Sequence, residues 1–218
     1  MKKNIFFFLL LTVIVFTACK KSDVKPKETV LYETDFSSND GKWGTGTPSN
    51  GIVLSISDGY YTFRNSSTGS YGSWLENPVF TGTPARSAIE ASIKTAQTGN
   101  DGWGSGGLLW NLKKISNNNY YEFGFVISYN GKFEIYGYPN GDQDSYTEYV
   151  SWTLSSAIKT DSFNKLRITL TTGTLHFFIN DKEVHSMPAT SEGALDLAGF
   201  IADRGTTLQM DYFRAVTF

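Results

Sequence analysis

KLRITLTTGTLHFFINDKEVHSMP, residues 165–188, decides the fold. Leu166, Ile168 and Leu170 alternate with Arg167 and Thr169, and Leu175, Phe177 and Ile179 repeat the pattern beyond Thr172-Gly173. A period of two sends one set of side chains to a buried face and the other toward solvent, as in a β-strand. A two-residue turn at Thr172-Gly173 pairs Thr171 with Thr174 and therefore Ile168 with Phe177, so the apolar sets share one face. Asn180-Asp181 makes a second tight turn. It predicts Phe177 opposite Val184 on the core face and His176 opposite His185 on the other.

The next hairpin, residues 120–138, has two available registers. A two-residue Asn130-Gly131 turn sets Ile127 opposite Glu134 and drives a carboxylate into the core. A three-residue loop with Gly131 at a positive φ pairs Ile127 with Phe133 and Phe125 with Ile135 instead. The second register is expected, because an unpaired buried carboxylate costs several kcal/mol. It turns Glu122, Glu134, Tyr136 and Tyr138 to the opposite face. Ile89, Ala91 and Ile93 alternate in the same way, as do Leu108, Trp110 and Leu112, with Gly107, Leu109 and Asn111 facing away. The 21 glycines, 12 tyrosines and 16 phenylalanines suit short strands and tight turns. No helical periodicity follows the N-terminal segment, and roughly a dozen strands imply an all-β, two-sheet antiparallel sandwich.

The N-terminus carries an address. Lys2 and Lys3 precede an uncharged apolar run, Ile5 to Phe16. It is shorter than the ~20 residues that span a bilayer and has the form of a secretory signal. Phe16-Thr17-Ala18-Cys19 places small residues before the single cysteine and resembles the lipobox of bacterial lipoproteins, with Phe16 where leucine is usual. The expected organisation is a signal peptide over 1–18, a lipidated Cys19 with a polar tether over 19–29, and one domain over 30–218. A multi-acyl cysteine would hold the domain to a membrane, since each buried CH2 contributes about 0.8 kcal/mol. The expected location is the bacterial cell envelope, at the outer membrane. The chain carries 19 basic and 21 acidic residues, a net charge of −2 that loses Lys2 and Lys3 with the leader. This balance argues against nucleic acid, which requires a clustered basic face.

Three stretches together resemble the concanavalin A-like jelly rolls, including laminin-G-like domains and bacterial domains related to 3-keto-glycoside hydrolases. The first is Glu33-Thr34-Asp35-Phe36 with Trp43 and Asp58-Gly59-Tyr60. The second is Gly106-Gly107-Leu108-Leu109-Trp110 with Tyr120-Tyr121-Glu122-Phe123. The third is Asn164 to Ile168 with Leu175 to Lys182, closed by Asp211-Tyr212-Phe213. The resemblance implies a jelly-roll sandwich with a curved sheet whose concave face often holds glycan. It also implies that glucanases of the class carry a Glu-x-Asp-x-x-Glu strand. Here Glu33-Thr34-Asp35 begins that string, but Ser38 occupies the place of the second glutamate.

The leading expectation is therefore a non-catalytic carbohydrate-binding jelly roll. Its candidate glycan-binding residues are Tyr136, Tyr138, Glu122, Asn111 and Trp103, with Trp43 and Trp152 as further aromatic candidates and Trp110 assigned to the core. Aromatic faces offer large apolar area to a sugar ring. One alternative is a glycoside-cleaving enzyme with Glu122 and Glu134 as its acid and base, since that chemistry needs two carboxyl groups about 5 to 9.5 Å apart. The other is a structural or protein-interaction module without a sugar site. His176 and His185, if paired, form a candidate metal site without a third ligand. Asp35 and Asp211, near the first and last strands, are candidates for a structural Ca2+, against the plainer role of capping turns. No cofactor is required by any of these readings.

Overall fold

The computed structural model describes residues 27–80, 82, 84–100, 102–114, 120–189, 195 and 197–218. The leader and Cys19 lie outside the described residues. Fifteen strands follow in chain order. They begin with β1 (Thr29–Thr34), β2 (Gly46–Ser49), β3 (Ile52–Ser57), β4 (Tyr60–Asn65) and β5 (Tyr71–Trp74). Next come β6 (Arg86–Gln97), β7 (Ser105–Lys114), β8 (Tyr120–Ser128), β9 (Lys132–Gly137) and β10 (Thr147–Leu154). The last are β11 (Asn164–Thr171), β12 (Thr174–Ile179), β13 (Lys182–Pro188), β14 (Gly199–Ala202) and β15 (Thr206–Thr217). A 3-10 turn at Gln143–Ser145 is the only helical element among the described residues.

The strands form two antiparallel sheets packed face to face as a jelly-roll sandwich. Nine strands make the larger sheet, ordered β13-β12-β11-β6-β15-β4-β3-β2. Its ninth strand, β1, shares an edge of β15 with β4: β4 pairs with Thr206–Met210, and β1 with the stretch from Phe213 to Thr217. Six strands, β10-β9-β8-β7-β14-β5, make the other. The core lies between them. Ile89, Ala91 and Ile93 of β6 and Leu166, Ile168 and Leu170 of β11 meet Leu108 and Trp110 of β7 and Phe123, Phe125 and Ile127 of β8.

The two hairpin registers are as the turn chemistry predicts. Ile168 faces Phe177 and Thr171 faces Thr174. Ile127 faces Phe133 and Phe125 faces Ile135, with Gly131 at φ 84° and its N–H bonded to the Ser128 carbonyl.

Three expectations fail, two at a bulge and one through packing. A bulge at Val184 shifts β13 by one residue, so His185 faces Phe177 and His176 faces Ser186. The two imidazoles thus lie on opposite faces and cannot share a metal. His176 Nδ1 instead meets Glu183 Oε1 at 3.0 Å. A second bulge follows Trp110, where Asn111 adopts φ 51°. Asparagine tolerates this left-handed geometry better than most residues. The extra residue turns Leu112 away from the main core into a smaller cluster with Leu109, Val126, Tyr136 and Ile201. Asn111 itself is fully buried, with both side-chain polar atoms unpartnered among the described residues, so it is not on the exposed face.

Trp43 is the third correction. Rather than standing in a polar loop, it fills the core, 2% exposed, among Phe36, Tyr61, Phe200 and Phe213. Its Nε1 donates to the Tyr32 hydroxyl at 2.9 Å, which satisfies its one polar group.

Candidate functional site

The outer face of the six-stranded sheet carries a groove of about 400 Å³. Its floor follows from register. Glu134 and Tyr136 project from the same side of β9, where Glu134 lies opposite Val126 of β8, and Tyr136 lies between Gly124 of β8 and Glu148 of β10. The ring of Tyr136 lies across Gly124, the one position on β8 without a side chain to obstruct it. That leaves Tyr136 7% exposed. It is a floor residue rather than an exposed stacking ring, which corrects the sequence expectation. Tyr138 and Tyr146 complete a ring cluster with it, at centroid separations of 5.4 to 6.1 Å.

Four carboxylates line this groove: Glu122, Glu134, Glu148 and Asp203. Burial pushes Glu122 up to about 7, with the charge of Asp203 adding to the effect. Glu134 is also pushed up to about 7. Burial is the main cause, the Tyr146 hydroxyl bonded to it at 3.0 Å opposes the shift, and Glu148 and Asp203 reinforce it. Asp203 is raised by burial too, although the Ser105 and Ser70 hydroxyls donate to its carboxylate at 2.5 and 2.6 Å and favour its charged form.

The proposed acid–base pair is not a close pair along the strands. The Tyr138 N–H bonds the Glu122 carbonyl, so Glu122 stands opposite Tyr138 while Glu134 stands four positions earlier on β9. At about 3.3 Å per residue their backbones are offset by roughly 13 Å. The charges acting on Glu134 come from Glu148 and Asp203, and that acting on Glu122 from Asp203.

Two tryptophans rim the groove. Trp103, 54% exposed, is held by its backbone N–H on the Arg204 carbonyl and by the Arg204 guanidinium 4.9 Å from its ring centre. Trp152, 37% exposed, projects from β10.

Asp203, Glu148 and Tyr146 escaped the sequence reading. The two-residue spacing of Tyr146 and Glu148 was the available signal for two of them, but irregularities on either side of Val150, which packs on the core, break the alternation toward Trp152. Asp203 reaches the groove from the residue just after Ala202, the last paired residue of β14, with its N–H on the Ser105 carbonyl, a placement that no local pattern announces.

Other sequence candidates lie elsewhere. Glu33 is on the outer face of the larger sheet, 3.9 Å from Arg214. Asp35 follows β1, and hydrogen bonding from the Ser37 side chain, then from the Ser37 backbone N–H at 3.0 Å, lowers its pKa, while Asp211 sits at the bulge of β15. The terminal strands do pair, but no group of three or more His, Cys, Asp or Glu side chains is placed for metal among the described residues.

No family model matches this chain, and no curated protein matches it. Solved structures do. The kappa-carrageenase from Pseudoalteromonas carrageenovora, in complex with an oligotetrasaccharide of kappa-carrageenan, is 12% identical over 92% of this chain and 99% of its own, with a TM-score of 0.58. The laminarinase catalytic domain from Thermotoga petrophila is 11% identical over 87% and 98%, TM-score 0.57. The carbohydrate recognition domain of Emp47p is 13% identical over 88% and 97%, TM-score 0.56. At such identities the likeness establishes the fold. This chain has the concanavalin A-like jelly roll, an architecture used both by glycoside hydrolases and by carbohydrate-recognition domains.

Proposed function

We propose that this chain is a lipid-anchored, non-catalytic glycan-binding domain that holds sugar in the groove between Trp103 and Trp152. The observation that carries this reading is the pairing of those two exposed indoles with buried carboxylates and the Tyr138–Tyr146 edge. Indole and phenol rings supply apolar faces for sugar C–H groups, and carboxylates accept hydrogen bonds from sugar hydroxyls. The anchor is lipid on Cys19 at the outer membrane. Glu28, at the end of the tether, accepts from Arg167 Nη2 at 2.7 Å and Arg214 Nη1 at 2.8 Å on the outer face of the larger sheet. This contact puts Glu28 on the sheet face away from the groove. A structural Ca2+ at Asp35 and Asp211 belongs to the same proposal as an accessory only, since the glycan site does not depend on it.

A hydrolytic reading is favoured by one observation, that Glu122 and Glu134 are both held near 7, where a carboxyl group can serve as acid or base. One experiment separates the two. Glu122→Gln and Glu134→Gln should weaken glycan binding modestly and reveal no lost turnover in a binding domain. In an enzyme they would abolish cleavage while sugar stays bound. Trp152→Ala should weaken binding by about 1 to 3 kcal/mol. Absence of both binding and cleavage across a broad glycan panel would leave the structural module as the surviving account.

A further inference from the structure

Trp103 and Trp152 border two cavities. On one side lies the carboxylate-floored groove, and on the other a cavity of about 330 Å³ whose lining includes Ser105, Ser128, Asn130 and Lys132. The indole pair is therefore a wall shared by the two cavities. Each cavity falls near the lower end of the ~300–1,000 Å³ typical of small-ligand sites, so a lone sugar that fills one leaves the other empty.

The two halves differ in charge. Glu122, Glu134, Glu148 and Asp203 line the first, with no lysine or arginine among its described lining residues. Their existing hydrogen bonds come from Tyr146, Ser70 and Ser105, all hydroxyl donors of the kind a neutral sugar presents. A sulfate or carboxylate on the ligand would add negative charge where four carboxylates already stand, with no lysine or arginine among the described lining residues to pair it. Selectivity of this kind comes from repulsion of the wrong partner as much as attraction of the right one. Lys132 is the one charged residue lining the second half among the described residues.

We propose that this pair of cavities selects an oligosaccharide strand free of acidic groups, laid across the Trp103–Trp152 wall so that both are occupied. This rests on the glycan-binding reading above and names the class of glycan. The test is an array of uncharged oligosaccharides of two to six units, each matched by sulfated or uronate-bearing counterparts, probed with the full-length chain in detergent at pH 7.5 and low salt. Binding should be confined to uncharged strands, and tetrasaccharides should bind at least about tenfold tighter than disaccharides, a gap of 1.4 kcal/mol. Trp152→Ala should abolish that length dependence. Glu134→Gln with Glu148→Gln should raise the affinity for acidic strands by about tenfold. Acidic strands bound as tightly as their uncharged counterparts, or disaccharides as tightly as tetrasaccharides, would overturn the selection while leaving glycan binding intact. An array with no binding at all would overturn both.

Discussion

Placing Gly124 under the ring of Tyr136 makes a prediction with a sign that depends on background. A Cβ added at Gly124 would lie 2.7 Å from the Tyr136 phenolic oxygen and closer still to ring carbons Cε1 and Cζ. Ordinary contact begins near 3.4 Å, so the ring must retreat by roughly 1 Å from a well-packed floor. Overpacking of this kind costs about 1–3 kcal/mol. Against it stands the gain of about 0.5–1 kcal/mol that alanine brings over glycine within a strand. Gly124→Ala should therefore destabilise the wild-type chain by about 1–2 kcal/mol, yet stabilise a Tyr136→Ala chain by about 0.5–1 kcal/mol, once the obstructing ring is gone. Urea unfolding of the four chains of this double-mutant cycle measures it, provided the m-values agree. Equal effects of Gly124→Ala in both backgrounds, within about 0.5 kcal/mol, would refute the packing of Tyr136 on Gly124. Tyr136→Ala alone should cost stability as well as binding, because the ring is buried in the floor.

Other predictions follow from charge, anchor and metal. Glu122 and Glu134 have folded-state pKa values raised from 4.5 to about 7. Between those values the native state binds more protons than the unfolded one, so their contribution falls as pH rises from about 4.5 through 7. Glu122→Gln and Glu134→Gln should each flatten that decline in melting temperature between pH 5 and pH 8, and an unchanged slope would mean the carboxyls are not buried as described. Cys19→Ser should end acyl labelling and release the chain from membranes, whereas unchanged fractionation would contradict the anchor. Chelation should lower the melting temperature through loss of the accessory Ca2+ bound to the native state at Asp35 and Asp211, and an unchanged value would remove that site.

What was legible in the sequence was whatever period two and turn chemistry enforce. The Ile168–Phe177 and Ile127–Phe133 pairings follow from Thr172-Gly173 and from Gly131, because a slip by one residue would reverse every buried face. Most misplaced residues lie beyond a bulge or outside a strand, while Tyr136, inside β9, is on the expected face but is covered where its ring crosses Gly124. One extra residue at Val184 separates His176 from His185, and one at Asn111 sends Leu112 to the opposite face. Neither site carries a glycine that would mark it. Trp43 lies in a Gly-rich loop that reads as exposed, yet Phe200 and Phe213, distant in sequence, surround it together with Phe36. The carboxylate groove is similarly non-local: Glu122 and Glu134 were visible on one hairpin, while Asp203 and Glu148 enter from two other strands.

The groove can be observed through its own indoles. The five tryptophans give five indole N–H resonances, of which Trp43 and Trp110 belong to the buried core and Trp103 and Trp152 to the rim. Titrating a bound oligosaccharide into the 15N-labelled chain should shift the Trp103 and Trp152 signals, assigned by Trp→Phe variants, and leave those of Trp43 and Trp110 in place. Saturable binding that moves neither rim indole would contradict the site.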